Sequence, residues 1–462
     1  MFDASIYQNR RNVLKKRFDS GILLFPGNEE SPMNYPANPY PFRQDSTFLY
    51  YWGLDFPGLY AVIDIDSGEE MLFGYDFTVD DIIWMGPQET LAEKAARVGV
   101  TRSESLEAVD KIVGDAVQQG RVVHFLPCYR AETGFAIQRL TGIPYERINA
   151  SASEELVRAV VAQRSIKEPE EIREIEIALD ISYQMNEAAI RHSRPGLTER
   201  EVYGIVEGIV LSRGSHVSFP VIFSIHGETL HNHSHENVMK EGDILVLDSG
   251  AESPCRYASD ITRSFPVSGK FTSFQKEVYN AVLSAQEESI AMMKPGLPFR
   301  EVHLRAARVM ADGLKAAGAM KGNMEDAVAA GAHALFFPHG LGHMLGLDVH
   351  DMEGLGEDYV GYDTKIKRSD QFGLAYLRMG KTMEPGHVLT VEPGLYFIPQ
   401  LIDLWKGEKK FQEFICYDEV EKLRDFGGIR IEDDVLITES GSRVLGKPIP
   451  KKVDDVEALA SS

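Results

Sequence analysis

The stretch "TLHNHSHENVMKEGDILVLDSG" (residues 229–250) places two candidate clusters side by side: His231, His233 and His235 at alternate positions, then Asp248 closing the apolar run "ILVLD". Alternating histidines in a segment rich in Asn, Ser and Gly usually belong to a solvated turn, so His233 and His235 read as loop residues. Asp248 is harder to dismiss. After "SGAESPCR" the chain reaches Asp260 in "YASDITRSF", and a hairpin of that length lays two strands together so that both carboxylates can face one another. Two carboxylates held together in an apolar setting repel, and either a raised pKa or a cation must resolve the repulsion.

Three later stretches repeat the theme: "FFPHGLGHMLGLDVHD", "VLTVEPGLYF" and "GIRIEDDVLIT". Gly/Pro turns precede both "ILVLD" and "VLTVE", and each run ends in a carboxylate, Asp248 and Glu392. In "GIRIEDDVLIT", Ile429 and Ile431 share one face of a strand while Arg430 and Glu432 share the other, which points the two charged groups into one polar cavity. His339 and His343 are four apart, with Gly340 and Gly342 letting the backbone bend closely beside them. Asp248, Asp260, His343, Glu392 and Glu432 form an oxygen-rich donor set whose formal charge matches two divalent cations. Such a set suits manganese or magnesium, with cobalt, zinc and iron as alternatives. Two metals sharing a hydroxide activate a nucleophile and polarise a carbonyl together, which predicts hydrolysis.

The rest of the chain bounds this reading. Its 462 residues exceed one ordinary core, so two domains are expected. Residues 20–160 alternate apolar runs ("GILLF", "STFLYYWGL", "YAVIDID", "EEMLFGY", "RVVHFLP") with helical stretches, the pattern of a mixed sheet with helices against it. From "RSIKEPEEIREIEIALD" onward amphipathic helices mix with acid-bearing strands, which fits an α+β domain and puts the boundary near residues 160–168. A formal net charge of −22, spread along the chain, argues against nucleic acid or an anionic membrane as partner. Cys128, Cys255 and Cys416 follow no metal or disulfide spacing. With no apolar signal core at the N-terminus and no membrane-spanning run, a cytoplasmic protein is expected.

Taken in order, "LDSGAE", "SDITRSF", "HGLGHMLGLDVHD", "VEPGLY" and "GIRIED" resemble the successive metal-site motifs of the pita-bread metallopeptidases, and in particular their proline-specific branch, prolidase and aminopeptidase P. "FRQDSTFLYYWGL" and "YAVIDIDSGEEMLF" resemble that branch's creatinase-like N-terminal domain. The resemblance implies an α+β protein with an N-terminal α/β domain over residues 1–163 and a pita-bread catalytic domain over residues 164–462. It makes Asp248 and Asp260 ligands of one metal, His343 and Glu392 ligands of a second, and Asp260 and Glu432 bridges between them. Glu392 would also shuttle a proton. His350 resembles the histidine that supports the tetrahedral intermediate, His339 one that holds substrate, and His231 an active-site histidine that binds no metal. Phe219 stands where many relatives carry a tyrosine, so that phenol's contact must be replaced or absent.

The expected reaction is hydrolysis of the Xaa-Pro bond at the amino end of short peptides, with two divalent ions, manganese foremost and cobalt or zinc as alternatives. A dipeptidase must also meet the free carboxylate of the terminal proline, for which arginine is suited. The segment "LAYLRMGKTMEPG" resembles the prolidase stretch that supplies one, so Arg378 is the candidate clamp, and Arg430 a second substrate-side arginine. Xaa-Pro dipeptidase is therefore favoured over Xaa-Pro aminopeptidase; creatinase and a non-catalytic pita-bread module fit less well, because the ligand set is intact. The resemblance also implies a homodimer or homotetramer. Trp84 resembles an aromatic that approaches a neighbouring subunit's site in some relatives, a buried core tryptophan being the alternative.

Overall fold

A computed structural model describes all 462 residues. Two compact units emerge, one of residues 1–164 with residues 353–359, the other of residues 165–352 and 360–462.

In the first unit, β1 (Ile22–Pro26), β2 (Tyr60–Asp64), β3 (Glu70–Gly74), β4 (Arg102–Ser105) and β5 (Val123–His124) form one sheet in the order β4-β3-β2-β1-β5. The pairs β1–β2 and β2–β3 are antiparallel, and β4 and β5 join in parallel at the two edges. Helix Leu106–Gln118 turns Val109, Val113 and Ala116 onto Ile22, Val62 and Phe73 of the sheet, as helical spacing of apolar residues requires. The run "STFLYYWGL", expected among the strands, is instead helix Ser46–Trp52. Asp45 caps it by accepting from the Thr47 and Phe48 amides, and Gly53 ends it at φ 62°, a left-handed geometry suited to glycine. Every residue of that helix is buried, so no periodicity betrays it. Trp84 is 86% exposed, on a helix (Val79–Met85) that buries no residue, which removes the core-tryptophan alternative.

The second unit is built on β6 (Ile222–Ser224), β7 (Ile244–Ser249) and β8 (Ile261–Pro266), ordered β6-β7-β8, and on β9 (Val388–Val391), β12 (Asp433–Ile437) and β13 (Ser442–Val444), ordered β13-β12-β9. A third pair joins β10 (Gly394–Tyr396) to β11 (Gly428–Arg430). Helix Pro169–His192 starts on a capping box between Glu168 and Glu171 with proline in the first turn, a strong stop-start signal after the charged entry. Helices Ser273–Met292 and Phe299–Ala316 lie against one another. "GIRIEDDVLIT", read as one strand, is two: β11 and β12 belong to different sheets, and residues 431–432 carry the chain between them. That break lets Glu432 sit where both sheets can contribute to one cavity. No helix is long and apolar enough to cross a membrane.

Candidate metal centre and substrate cavity

Register brings the acids together. Asp248 on β7 lies opposite Ile222 of β6 and Thr262 of β8, and Asp260 immediately precedes β8. Asp433 of β12 lies opposite Val391 of β9, so Glu432 and Glu392, each one residue away, fall beside each other. The Glu432 amide donates to the Thr262 carbonyl at 3.0 Å, tying this junction to β8. His343 is held against β9 by two bonds, its amide donating to Thr390 Oγ1 at 3.1 Å and the Thr390 amide donating to its carbonyl at 3.0 Å. Gly342 makes that approach possible, because a Cβ there would lie 2.0 Å from the Thr390 carbonyl oxygen.

The resulting cluster is tight. One donor atom each from Asp260, His343 and Glu432 lies within 4.8 Å of the others, all three residues being buried. His343 Nε2 stands 3.4 Å from Asp260 Oδ2 and 3.5 Å from Glu392 Oε1. Its Nδ1 donates to the Met344 carbonyl at 3.0 Å, which leaves the Nε2 lone pair aimed at the acids. His350 stacks edge-on against His343, ring centroids 4.3 Å apart.

Arg430 organises the surroundings. Its Nη2 donates to Asp248 Oδ2 at 2.6 Å, its Nη1 to the Tyr396 hydroxyl at 2.7 Å and its Nε to Thr262 Oγ1 at 3.2 Å. Thr262 in turn donates to Glu432 Oε2 at 2.7 Å. The Tyr396 hydroxyl donates to His339 Nε2 at 2.9 Å, while His339 Nδ1 donates to the Gly340 carbonyl at 2.8 Å. The tyrosine expected upstream is absent, and Phe219 lines the cavity without a phenol; it is the Arg430 guanidinium that meets Asp248. Tyr396, Thr262 and Thr390 escaped the sequence reading, although all three lie within motifs already singled out, the two threonines one or two residues from a charged group and Tyr396 four residues after Glu392.

Burial and mutual repulsion, chiefly from Glu432, hold the Asp260 carboxyl well above the usual carboxylate range. Burial and Glu392 do the same for Glu432, and burial pushes Glu392 up to about 7 against the opposing pull of Arg430. The His343 imidazole is driven low by burial and the nearby His350, and so is kept neutral. Asp248 Oδ1, Asp260 Oδ1 and Glu432 Oε1 are buried and accept no hydrogen bond. Buried polar atoms are rarely left so.

A cavity of 580 Å³ opens over the cluster. His231, His339, His350, Arg378 and Arg430 all line it, as does His233, which lies in a loop as expected but faces the cavity. His235 points elsewhere, stacked on Tyr203 at 4.1 Å with Nδ1 3.2 Å from the Phe223 carbonyl. Apolar side chains share the lining with the charged groups: Phe219, Pro220, Ile222 and Leu230 from β6 and the segments around it, and Phe372, Tyr376, Ile398 and Leu401 from later in the chain.

Residues 173–439 match the family model described as metallopeptidase family M24, and residues 7–124 match the aminopeptidase P N-terminal domain. The chain belongs to metallopeptidase family M24. This M24 chain is 33% identical to a Homo sapiens Xaa-Pro dipeptidase, over 95% of its own length and 88% of the relative's. It is 31% identical to a probable Xaa-Pro aminopeptidase of Fusarium vanettenii, over 96% and 93% of the two chains. Among solved structures it is similar to zinc-substituted Escherichia coli aminopeptidase P in complex with product (TM-score 0.82, 29% identity, 100% and 98% covered). Aminopeptidase P II from Yersinia pestis is equally similar (TM-score 0.82, 29% identity, 100% of both chains covered). M24 membership implies divalent metal ions, and the donors fit: orphaned, buried carboxylate oxygens on Asp248, Asp260 and Glu432 converge with a neutral imidazole whose free nitrogen faces them.

Proposed function

We propose that this chain is an Xaa-Pro dipeptidase that holds two divalent cations, manganese foremost with cobalt or zinc as alternatives, on Asp248, Asp260, His343, Glu392 and Glu432. Residues 164–462 would be the catalytic domain and residues 1–163 its N-terminal companion. The observation that supports the reading is Arg378: it lines the same cavity as Glu392 and the acid cluster, and a guanidinium there would suit the carboxylate of a terminal proline. Proline's ring and missing N–H make its bonds poor substrates for general peptidases, so a dedicated pocket is needed.

The cations, when bound, supply Lewis acidity and an activated water at neutral pH. The chain supplies the rest. Asp248, fixed by Arg430, marks the end of the cavity where the substrate's ammonium would sit. His350 stands beside His343 to donate toward the oxygen on which negative charge develops. Glu392 carries a proton on its carboxyl to the departing prolyl nitrogen. His339, held neutral by burial and locked by Tyr396 and Gly340, and His231 at the cavity mouth orient the peptide. A homodimer or homotetramer is the proposed assembly, supported by the exposed Trp84 helix, and the cytoplasm the proposed compartment.

Hydrolysis of Ala-Pro beside Ala-Pro-Ala by manganese-loaded protein, with Arg378→Ala alongside, tests the reading. Dipeptide cleavage that collapses in the variant is expected. Preference for the tripeptide, indifferent to Arg378, would instead make the chain an Xaa-Pro aminopeptidase, the reading that the aminopeptidase P relatives favour.

A further inference from the structure

The loop from Ile225 to Asn237, between β6 and β7, brings Leu230, His231 and His233 to the cavity. The His231 ring makes no hydrogen bond to the protein, so its place in the cavity is set by the backbone that carries it. That backbone is gathered at its two ends by one side chain, Glu199, which opens helix Glu199–Ser212 and is wholly buried. Glu199 Oε1 accepts from the Ile225 amide at 2.7 Å. Its Oε2 accepts from the Asn237 side-chain amide at 3.0 Å and from the Asn237 backbone amide at 3.4 Å. The Glu199 amide in turn donates to the Asn237 carbonyl at 3.0 Å. A buried carboxylate is costly unless donors surround it, and here the donors all belong to the loop. Capping the helix does not require Glu199, because Thr198 and Glu201 already do so, the Thr198 amide donating to Glu201 Oε2 at 2.8 Å.

Two further contacts seat the same loop. Tyr203 follows Glu199 by four residues, hence on the same helix face, and stacks on His235 with ring centroids 4.1 Å apart. Gly227 passes against β11, where a Cβ would lie 2.8 Å from the carbonyl oxygen of Gly428, two residues before Arg430. The loop is thus fitted between the helix and the strand whose arginine meets Asp248.

We propose that Glu199 is a positioning residue: by holding both ends of the loop it sets where His231 stands in the cavity, and peptide hydrolysis depends on it through His231. This rests on the reading of the cavity as an Xaa-Pro peptidase site in which His231 orients the peptide. Glu199 itself does not line the cavity. The chemistry of the joint makes it separable from charge. Glu199→Gln turns one acceptor into a donor, so that an amide NH2 meets either the Ile225 amide or the Asn237 side chain, donor against donor. Adding Asn237→Asp supplies an acceptor for that NH2 and rebuilds the joint with the roles exchanged.

The test measures kcat and KM on Ala-Pro and Ala-Pro-Ala for the manganese-loaded parent, Glu199→Gln, Asn237→Ala and Glu199→Gln with Asn237→Asp. The first two are repeated in a His231→Ala background, and metal content and hydrogen–deuterium exchange are followed throughout. Glu199→Gln should lower kcat on the better substrate about tenfold, as misplacing an orienting group does. Metal content should stay at the parent level, and faster exchange should be confined to residues 225–237 and the start of the helix. Asn237→Asp should recover most of the loss. In the His231→Ala background Glu199→Gln should cost no more than about twofold further, the non-additivity of residues that act through one another. Asn237→Ala removes one donor and should give a smaller loss of the same kind; it carries the test if Glu199→Gln does not fold. Losses that multiply in full in the His231→Ala background, no recovery with Asn237→Asp, or lost metal overturns the proposal. Variants as fast as an active parent overturn it too and leave the Xaa-Pro reading standing. A parent inert on both peptides removes the Xaa-Pro reading; the hold on the loop is then decided by exchange, and unchanged exchange at residues 225–237 removes that as well.

Discussion

Lys167 Nζ lies 2.7 Å from Asp351 Oδ2, and each side chain is 1% exposed. Asp351 follows His350 directly, and its other oxygen accepts from the Asp348 amide at 3.3 Å, so the pair pins the loop that presents the imidazole. Removing one partner strands a charge, which costs about 3–5 kcal/mol. Lys167→Met should therefore lower stability by that order in urea titration, and Lys167→Met combined with Asp351→Leu should cost clearly less than the two singles added together. Simple additivity would show that the pair is not coupled.

Metal content should follow the acid cluster and not the histidine run. Plasma emission analysis of the purified protein should find close to two divalent ions per chain, falling by at least one in Glu432→Gln and in Asp260→Asn. Alanine at His233 or His235 should leave the count unchanged. Stripping with a chelator should lower the melting temperature, because a ligand bound only by the native state stabilises it.

The proline carboxylate is the next test. Arg378→Ala should lower kcat/KM on Ala-Pro by about 10²-fold, the loss of a charge-assisted pair of roughly 1.5–3 kcal/mol. Arg378→Lys should recover only part, since lysine keeps the charge and not the planar fork. Full recovery would mean that charge alone is read.

Acid should destabilise the fold through two histidines outside the centre. Burial holds His333 at about 4, and burial together with Lys381 holds His387 at about 3, both below the unfolded value of about 6.5. With depressed folded pKa values, both are neutral in the native state, and the unfolded chain binds their protons first. Their contribution is complete above about pH 6.5 and declines as pH falls toward 4 and then 3, on the order of 3 kcal/mol for His333. Urea midpoints at pH 7 and 5 should differ less in His333→Gln than in the parent. An unchanged difference would locate the acid sensitivity elsewhere.

Gly342→Ala should cost activity out of proportion to its size, because the added methyl would meet the Thr390 carbonyl and displace His343. Soluble protein that has lost metal would be the signature; full metal content and rate would refute the close approach.

The carboxylates were legible because each ends or precedes an apolar run, a local pattern that needs no knowledge of partners. What joins them was not. Arg430 finds Asp248, and Thr262 finds Glu432, far away along the chain, and nothing local marks a tyrosine such as Tyr396 as a bridge between an arginine and a histidine. The helix at Ser46–Trp52 was hidden for a related reason: burial on all sides erases the period by which helices are recognised. The split at residues 431–432 was equally silent, since both flanking strands are apolar and continuous in sequence.

The acids of the centre stand far apart in the chain, from Asp248 on β7 to Glu432 beyond β11. A ribosome releases the first of them long before the last, and a nascent fragment that ends before Glu432 carries the Asp248–Asp260 hairpin without the full donor set. Contacts of such sequence separation form late and slowly in folding. Full assembly of the donor set must then wait for a nearly complete polypeptide, and any premature stop before Glu432 would yield a product that lacks that carboxylate and both β12 and β13 of the β13-β12-β9 sheet, a target for proteolysis instead of a weak enzyme.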